Sequence, residues 1–245
     1  MDISGRTALV TGSNRGIGRA FAEALRDAGA RRVYCAARRP ESVEELVATA
    51  PDQLVPVTLD ITDDAQIAAA VEQAGDVDLL INNAGVARGG SLIKAKSLDG
   101  ARDDMNTNYF GTLAMIRAFA PVLAAHDGGS IVNVLSISSL VSFPTIGAYS
   151  ASKAAGHSLT QGVRADLAGQ GTQVIGVYPG PIDTDMAEDL EMPKAPPSAV
   201  AEATLAALAD GTEEVFPDAM AAQISSGVQQ NSRATAKRVA SMAPS

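Results

Sequence analysis

Residues 6–37 read RTALVTGSNRGIGRAFAEALRDAGARRVYCAA, and this stretch decides the fold. A short β-prone run stops at Thr11 and Gly12, and a second apolar run begins at Arg32. Between them, four apolar residues recur at the spacing of one helix face: Ile17, Phe21, Leu25 and Ala28. The pattern predicts strand, glycine-rich turn, helix and strand within about 30 residues, which is the first unit of a dinucleotide-binding fold.

The turn between the first strand and the helix predicts an anion site. Glycine lets the backbone approach a pyrophosphate closely, and the free N–H groups at the helix start, with the helix dipole, hold the negative charge. An ordinary strand-to-helix turn is the alternative, but the position of the loop favours a nucleotide. The residues that we predict to bind the cofactor here are Gly12, Ser13, Asn14, Arg15, Gly16, Ile17 and Gly18.

Two arginines follow the second strand, about 20 residues past the loop, where this fold contacts the adenosine ribose. A site for NAD has Asp or Glu there to bind the ribose hydroxyls, whereas this chain has Ala37 and then Arg38 and Arg39. Guanidinium groups match a 2′-phosphate, and Arg15 is a further candidate for the same anion. A solvated basic loop is the alternative. The coincidence with the ribose position predicts NADP(H) as the cofactor.

Strands and helices alternate along the rest of the chain, and no repeat or linker divides it. This order predicts an α/β fold, a Rossmann-type doubly wound parallel sheet with helices on both faces, in a single domain over residues 1–245. Within that domain we predict a substrate lid at residues 184–197 and a variable C-terminal tail from about residue 217. Two stretches of the tail, residues 219–224 and 234–242, are expected to be partly helical.

Four further predictions concern individual segments and helix ends. Residues 91–104 are expected to be irregular and exposed. A long apolar helix is expected over residues 105–125, with Asn108 at its beginning. Ser198 is a candidate N-cap of a later helix. Asp60, at a strand end, could contact the adenine amino group or cap the helix that begins near Asp63, and both readings stay open.

Composition excludes several classes of function. The chain is 46% hydrophobic and 19% charged, so it is globular, and its net charge of −9 argues against nucleic-acid binding. One cysteine, Cys35, and two distant histidines, His126 and His157, predict neither a disulfide nor a metal site. No apolar run approaches the roughly 18 residues of a membrane span, and the N-terminus lacks a signal-peptide pattern. We therefore expect a cytoplasmic protein.

Tyr149 and Lys153 are four residues apart at the start of a predicted helix, so their side chains share one face. An ammonium beside a phenol favours the phenolate and lowers the tyrosine pKa from about 10. A phenol tuned in this way can give or take a proton near neutral pH. The alternative is an exposed helix face with a snorkelling lysine, and the pair alone does not exclude it.

Taken together, the motifs resemble those of the short-chain dehydrogenase/reductase family, of the short single-domain type. They are TGSNRGIG at 11–18, Asp60, NNAG at 82–85, NYFG at 108–111, a serine after IVNVL, YSASK at 149–153 and PGPIDT at 179–184. They occur in the family's order and spacing over residues 6 to about 185. The spacing G-x-x-x-G-x-G, which departs from the general G-x-G-x-x-G pattern, is the one that this family uses.

The resemblance implies a role for each motif residue. Tyr149 is the general acid and base, Lys153 lowers its pKa and holds the nicotinamide ribose, and Asn108 holds a water in a proton relay. Further cofactor contacts are implied for Asp60, Ile61, Asn82, Ala84, Gly85, Pro179, Gly180, Ile182 and Thr184. Of these, the residues from Pro179 to Thr184 are implied to bind the nicotinamide carboxamide.

Several serines follow the strand, and the resemblance selects Ser136 as the one that binds the substrate oxygen. Ser136 lies thirteen residues before Tyr149 and three after Asn133, as in the family. Ser138 is the next candidate. It is expected to line the substrate pocket together with Ile137, Phe143, Met186 and Leu190.

The sequence thus predicts an NADP(H)-dependent oxidoreductase that interconverts a carbonyl compound and an alcohol, and that forms a homodimer or homotetramer. Three alternatives stay open. One is an NADP-binding sensor without turnover, and another is an NAD-dependent alcohol dehydrogenase of the same family. The third is a lyase, epimerase or dehydratase on this scaffold, although such enzymes commonly have a larger C-terminal substrate domain.

Overall fold

Seven parallel strands form one sheet in the computed structural model, which describes residues 1–241. The strand order is β3-β2-β1-β4-β5-β6-β7, and every neighbouring pair is parallel. The strands are β1 (Thr7–Thr11), β2 (Arg32–Ala37), β3 (Leu54–Thr58), β4 (Leu79–Asn82), β5 (Ser130–Val134), β6 (Gln173–Val177) and β7 (Glu214–Val215).

Helices connect successive strands and cover both faces of the sheet, which confirms the predicted Rossmann-type architecture. They are α1 (Gly16–Asp27), α2 (Glu44–Ala48), α3 (Asp64–Gln73), α4 (Asp99–Met105), α5 (Thr112–Ala124), α6 (Gly147–Asp166), α7 (Pro197–Asp210) and α8 (Ala219–Ala240).

Alternate residues of the central strands enter two separate cores, because successive side chains of a strand point to opposite faces. Ala8 and Val10 of β1 pack in the core that contains Phe21 of α1. Leu9, between them, packs in the core that contains Phe119 of α5. All five side chains are buried.

The helix predicted to begin near Met105 begins earlier, at Asp99, so the expectation of an irregular segment up to residue 104 was wrong for its last residues. A π-helical turn, Asn106–Gly111, joins α4 to α5. Asn108 therefore lies inside a long helix rather than at its start. A π-turn carries one extra residue, and such turns are frequent at functional sites.

Two predicted helix caps differ from the structure. Asp63, not Asp60, caps α3, because its Oδ1 accepts hydrogen bonds from the backbone N–H groups of Ala65 and Gln66. The N-cap of α7 is Pro196 and its first residue is Pro197, so Ser198 is already inside the helix. Proline suits the first helical position because its missing N–H would have no partner there.

The C-terminal tail, where the sequence predicted two partly helical stretches, folds as a helical hairpin over residues 219–240. The chain leaves helical geometry at Asn231 (φ −160°, ψ 90°), whose Oδ1 accepts from the N–H of Ala234 at 2.9 Å. Val239 returns to the buried cluster that contains Ala221 and Ile224. We call residues 219–240 the C-terminal hairpin. Met242, the predicted end of the second stretch, lies outside the described residues.

Among residues 1–241, no helix is long and apolar enough to cross a bilayer. The same residues contain no group of three or more His, Cys, Asp or Glu side chains that could hold a metal ion.

Candidate active site

The C-terminal ends of β1, β4, β5 and β6 meet at one edge of the sheet, because the four strands are adjacent and parallel. Each of the predicted motifs follows one of these strand ends, or packs on it. In open α/β sheets this edge is where ligands bind. The fold therefore brings the glycine-rich loop, the NNAG segment, Ser136 and the PGPIDT segment to the same edge of the sheet.

The glycine-rich loop has the backbone geometry that only glycine adopts easily. Gly12 and Gly16 have φ of 67° and 52°, values that L-residues with a side chain rarely take. A Cβ at Gly18 would stand 2.1 Å from the carbonyl oxygen of Gly12, so α1 packs directly on the loop. This twelve-residue helix begins at Gly16, inside the loop, so its first backbone N–H groups lie where an anion bound by the loop would be.

Thr11 and Asn83 hold the loop in place. Both lie inside motifs identified from the sequence, which predicted a role for neither of them. Thr11 Oγ1 accepts from the N–H groups of Asn83 and Ala84 at 2.9 and 3.0 Å. Asn83 Nδ2 donates to the carbonyl oxygens of Thr11 and Gly12 at 2.9 and 3.2 Å. These contacts join the end of β1 to the end of β4, and the second asparagine of NNAG is the sequence feature that could have indicated them.

The predicted 2′-phosphate residues lie at the end of β2, beside the end of β1. Arg38 and Arg39 follow β2 directly and are both exposed. Within residues 1–241, neither guanidinium group forms a salt bridge. Arg15 is different, because its exposed side chain pairs with Asp185 at the start of the lid. Two exposed cations therefore remain available to an anion at the end of β2.

The predicted cofactor residues at the ends of β3 and β4 contact other parts of the protein. Asp60 accepts from the N–H and Oγ1 of Thr62 at 2.9 and 2.7 Å. Ile61 is buried in the core beside Gly111. Asn82 is also buried, and its amide donates to Asn133 Oδ1 at 2.9 Å across the sheet. The side chains of Ile61 and Asn82 are thus structural, and any cofactor contact falls to their backbone.

Asn108, Ser152 and Lys153 converge beside Gly85. Asn108 Oδ1 accepts from Val86 N–H at 2.9 Å, and its Nδ2 donates to Val86 O at 2.8 Å and to Ser152 Oγ at 2.9 Å. A Cβ at Gly85 would lie 3.0 Å from Asn108 Oδ1 and 3.5 Å from Lys153 Nζ. The π-turn presents the Asn108 amide to this point, and the glycine leaves room for it.

Ser136 and Tyr149 complete the group of four predicted catalytic residues. Ser136 follows β5 and is buried, with its Oγ accepting from Ser138 N–H at 3.1 Å. Tyr149 lies in the first turn of α6, and Lys153 Nζ lies 5.7 Å from its ring centroid. Lys153 is buried and donates to the carbonyl oxygen of Val134 at 2.8 Å. The spacing of Tyr149 and Lys153 does place both on one helix face.

The predicted lowering of the Tyr149 pKa is wrong for the chain as it stands. Burial raises the pKa of Tyr149 to about 12, the Ser136 hydroxyl lowers it in part, and the carboxylate of Asp104 raises it further. Burial also lowers the pKa of Lys153 to about 8, against an opposing effect of Asp104. Loss of hydration thus outweighs the pairing of the two groups that the spacing suggested.

Asp104 is a buried acid of the site that the sequence placed in a surface segment. Its two carboxylate oxygens accept from the backbone N–H groups of Arg88 and Gly89 at 2.7 and 3.0 Å. Gly90 O in turn accepts from Ala148 N–H at 3.2 Å, next to Tyr149. Asp104 therefore anchors the loop after β4 that supports the start of α6. Asp104 lies four residues before Asn108, so both belong to one helix face, and this spacing is the sequence feature that could have indicated a site residue.

The five predicted substrate-pocket residues fall into two groups. Ile137 and Ser138 are buried, and Ile137 packs with the partly buried Phe143 in the cluster beneath the C-terminal hairpin. Met186 and Leu190, on the lid, are 57% and 47% exposed. The structure thus places one group in a wall and the other on an open rim, and it does not bring the five into one contact surface.

The PGPIDT segment leads from β6 into the lid. Pro179 and Ile182 are buried, and the lid is closed at its base by a backbone bridge between Ile182 and Ala195. Thr184 Oγ1 donates to Ile182 O at 3.3 Å, and its methyl group lies 2.9 Å from where a Cβ of Gly16 would be. The base of the lid therefore touches the glycine-rich loop.

This edge fits a dinucleotide. The glycine-rich loop presents the backbone at the start of α1, and Gly85, whose missing side chain makes room for Asn108, lies beside Lys153. Exposed guanidinium groups lie at one end, and the phenol and ammonium groups lie at the other. A pyrophosphate would be held by the helix start, and a nicotinamide ribose would reach Lys153.

A family model described as short chain dehydrogenase matches residues 6–195. Two solved structures cover nearly all of the chain. One is a short chain dehydrogenase from Burkholderia cenocepacia in complex with NADP, which is 43% identical over 100% of both chains with a TM-score of 0.93. The other is a short-chain dehydrogenase from Streptomyces avermitilis, which is 30% identical over 97% of both chains with a TM-score of 0.85.

Similar sequences carry the same kind of description. An uncharacterized oxidoreductase of Staphylococcus saprophyticus is 32% identical over 85% of this chain and 93% of its own. The bovine dehydrogenase/reductase SDR family member 7B is 34% identical over 73% of this chain. This chain spans 58% of the length of that bovine relative.

Proposed function

This chain belongs to the short-chain dehydrogenase/reductase family of oxidoreductases, and from that premise we propose that it interconverts a carbonyl compound and an alcohol with NADP(H). The observation that carries the proposal is the convergence of Asn108, Lys153 and Tyr149 at the strand ends, beside Ser136 and in line with the glycine-rich loop. All four members of the acid-base set that the family uses are present, which favours turnover over a sensor function.

The chain's own part in the reaction is to position the reactants and to manage one proton. When bound, the nicotinamide supplies or accepts the hydride. In the reducing direction the substrate oxygen gains negative charge, and the hydroxyls of Ser136 and Tyr149 donate hydrogen bonds to it. Tyr149 Oη then gives its proton to that oxygen.

The electrostatics of the site suit this direction. A Tyr149 pKa raised to about 12 keeps the phenol protonated at neutral pH, ready to donate. Lys153, with a pKa lowered to about 8, still carries its proton at pH 7. Its ammonium near the Tyr149 ring offsets the negative charge that remains when the phenol gives up its proton.

Arg38 and Arg39 support NADP(H) over NAD(H). Both are exposed directly after β2, where an NAD site would have an acid. The Burkholderia relative, which is in complex with NADP, is consistent with this preference. An NAD-dependent alcohol dehydrogenase is the second candidate, and the arginines argue against it.

The lid supports an uncharged, fairly apolar substrate. It carries exposed apolar side chains at Met186, Leu190 and Met192. It also carries four acids and one lysine between residues 184 and 197, so its net charge disfavours anions. Keto esters, simple ketones and aldehydes fit these properties better than keto acids do.

A matched substrate panel tests the function. Purified protein is given NADPH or NADH with pairs of keto esters and the corresponding keto acids, and cofactor oxidation is followed by absorbance. We expect turnover of the esters with NADPH, slower turnover of the acids, and weak activity with NADH. If no carbonyl compound or alcohol in a broad panel reacts while NADPH binds, the sensor alternative gains and the proposed activity is wrong.

A cytoplasmic location, a single functional domain and a homodimer or homotetramer remain predictions. Helices α5 and α6 are the expected contact faces, and Phe110 beside α5 is 55% exposed. Light scattering at several protein concentrations would measure the assembly.

A further inference from the structure

Three consecutive residues after β6 are each anchored to a different element. Tyr178 is fully buried, stacks on Phe216 with ring centroids 5.1 Å apart, and its hydroxyl lies 2.7 Å from His157 Nδ1 of α6. Pro179 O accepts from Ile137 N–H at 3.0 Å, directly after the catalytic serine. Gly180 N–H donates to Asp218 Oδ2 at 2.7 Å. The segment expected to contact the nicotinamide is therefore rigidly held from three sides.

Asp218 uses its two oxygens for two different elements. Oδ2 accepts from Gly180, and Oδ1 accepts from Ala221 N–H at 2.8 Å as the N-cap of α8. A charged acceptor strengthens both hydrogen bonds. One carboxylate thus joins the PGPIDT segment to the C-terminal hairpin, 38 residues further along the chain.

The close approach of this carboxylate favours glycine at position 180. A Cβ on Gly180 would lie 2.6 Å from Asp218 Oδ1, which is closer than any real contact of this kind. Gly180 does not have a positive φ, so backbone conformation alone does not demand glycine there. The close approach of Asp218 explains this glycine without reference to a bound cofactor.

The hairpin that Asp218 caps also supports the loop after Ser136. Ala221 and Ile224 of α8 pack with Ile137 and Val141 in one buried cluster. Asp218 therefore lies at the junction of the serine loop, the PGPIDT segment and the hairpin. A shift of the carboxylate would loosen the first two relative to each other.

We propose that Asp218 is a positioning residue for the nicotinamide half of the cofactor site. It acts through Gly180, whose backbone it fixes, and it touches neither substrate nor cofactor. The inference rests on the proposed function, because it assumes that the PGPIDT segment contacts the nicotinamide. A substitution of Asp218 should therefore weaken binding of the nicotinamide half of the cofactor and leave binding of the adenosine half unchanged.

The test uses Asp218→Asn and Asp218→Ser in the full chain, with Asp210→Asn as the matched control. Asn and Ser are both good N-caps, so α8 keeps its cap while one of the two acceptor oxygens is lost. Asp210 is an exposed aspartate that accepts one backbone N–H, from Thr212, and lies at the opposite edge of the sheet. Calorimetry measures the Kd of NADPH and of 2′,5′-ADP, which carries only the adenosine half.

We expect the Kd of NADPH to rise about tenfold in both Asp218 variants, as loss of a charge-assisted hydrogen bond predicts. The Kd of 2′,5′-ADP should stay at the wild-type value, and Asp210→Asn should change neither. Hydrogen exchange without ligand should become faster in a peptide that covers residues 178–183 and stay unchanged in one that covers residues 16–27.

Equal loss of NADPH and 2′,5′-ADP binding would show general destabilisation and overturn the proposal, as would wild-type exchange and wild-type NADPH affinity in folded variants. If the Asp218 variants do not fold, Gly180→Ala disturbs the same contact from the other side and must give the same split. A wild-type protein that binds 2′,5′-ADP but not NADPH would instead contradict the proposed function, and the positioning role would fall with it.

Discussion

Lys153 donates a hydrogen bond of 2.8 Å to the carbonyl oxygen of Val134, the last residue of β5. Its stem is buried, and its ammonium lies 5.7 Å from the Tyr149 ring centroid. The strand end thus holds the lysine beneath the tyrosine. Burial of this charged ammonium group lowers the free energy of unfolding at neutral pH, and its dependence on pH can be measured.

Lys153 should make stability rise with pH. Its pKa is lowered from 10.5 to about 8 by burial, so the unfolded chain binds more protons than the folded chain between these values. From pH 7 to about 9.5, wild type should gain about 2 kcal/mol in unfolding free energy relative to Lys153→Met. Urea titrations at several pH values give the difference.

The pH window of this measurement must end below pH 10. Burial raises the pKa of Tyr149 from 10.0 to about 12, so between these values the folded state binds more protons and stability falls as pH rises. A constant difference between wild type and Lys153→Met from pH 7 upward would mean that the lysine titrates normally in the folded protein.

Tyr149→Phe should abolish turnover, with a loss on the order of 100-fold or more, because the substrate oxygen loses a hydrogen-bond donor and its proton source. The Kd of NADPH should remain close to wild type. Tyr34→Phe is the matched control, since Tyr34 bonds to Asp76 away from the site. Steady-state kinetics and calorimetry measure both variants, and normal turnover in Tyr149→Phe would refute its assigned role.

Removal of the two exposed guanidinium groups should weaken the preference for NADPH. In Arg38→Ala/Arg39→Ala, the ratio of kcat/KM for NADPH to that for NADH should fall about tenfold or more, because 2′-phosphate contacts are lost. Arg26→Ala is the control, because Arg26 lies at the far end of α1 beside Asp27. Equal affinity of the unmutated protein for NADH and NADPH would contradict the role of the arginine pair.

Gly18→Ala should destabilise the protein and disrupt cofactor binding. Its Cβ would stand 2.1 Å from Gly12 O and 2.5 Å from Asn83 Nδ2, so the loop and α1 must move apart. We expect a loss of about 1–3 kcal/mol, as for overpacking elsewhere. Gly169→Ala is the control, because nothing lies within 4 Å of the added methyl group. Thermal unfolding compares the two, and equal effects would argue against close packing at Gly18.

The sequence predicted the parts of this molecule that depend on local patterns. The strand-loop-helix unit of residues 6–37 is determined by glycine placement and apolar spacing, and the structure confirms it within one or two residues. Local rules of this kind act between residues that are close in the chain.

What the sequence did not reveal depends on contacts between distant residues. Asn83 reaches back to Thr11, and Asp218 reaches Gly180, in each case across many residues of chain. Asp104 is buried only because the loop after β4 folds onto it. The pKa of Tyr149 also depends on distant contacts. Spacing indicates that Tyr149 and Lys153 are neighbours, but the folded structure determines how far burial removes their hydration.

Deuterium-labelled NADPH tests most directly whether the protein transfers a hydride from the cofactor to a carbonyl carbon with the help of Tyr149. Wild type and Tyr149→Phe are each given a reactive keto ester with NADPH that carries deuterium at the transferable position, and the alcohol is analysed by mass spectrometry. We expect one deuterium on the carbinol carbon with wild type and almost no product with Tyr149→Phe. Wild-type product without deuterium, or equal labelled product from both proteins, would contradict this mechanism.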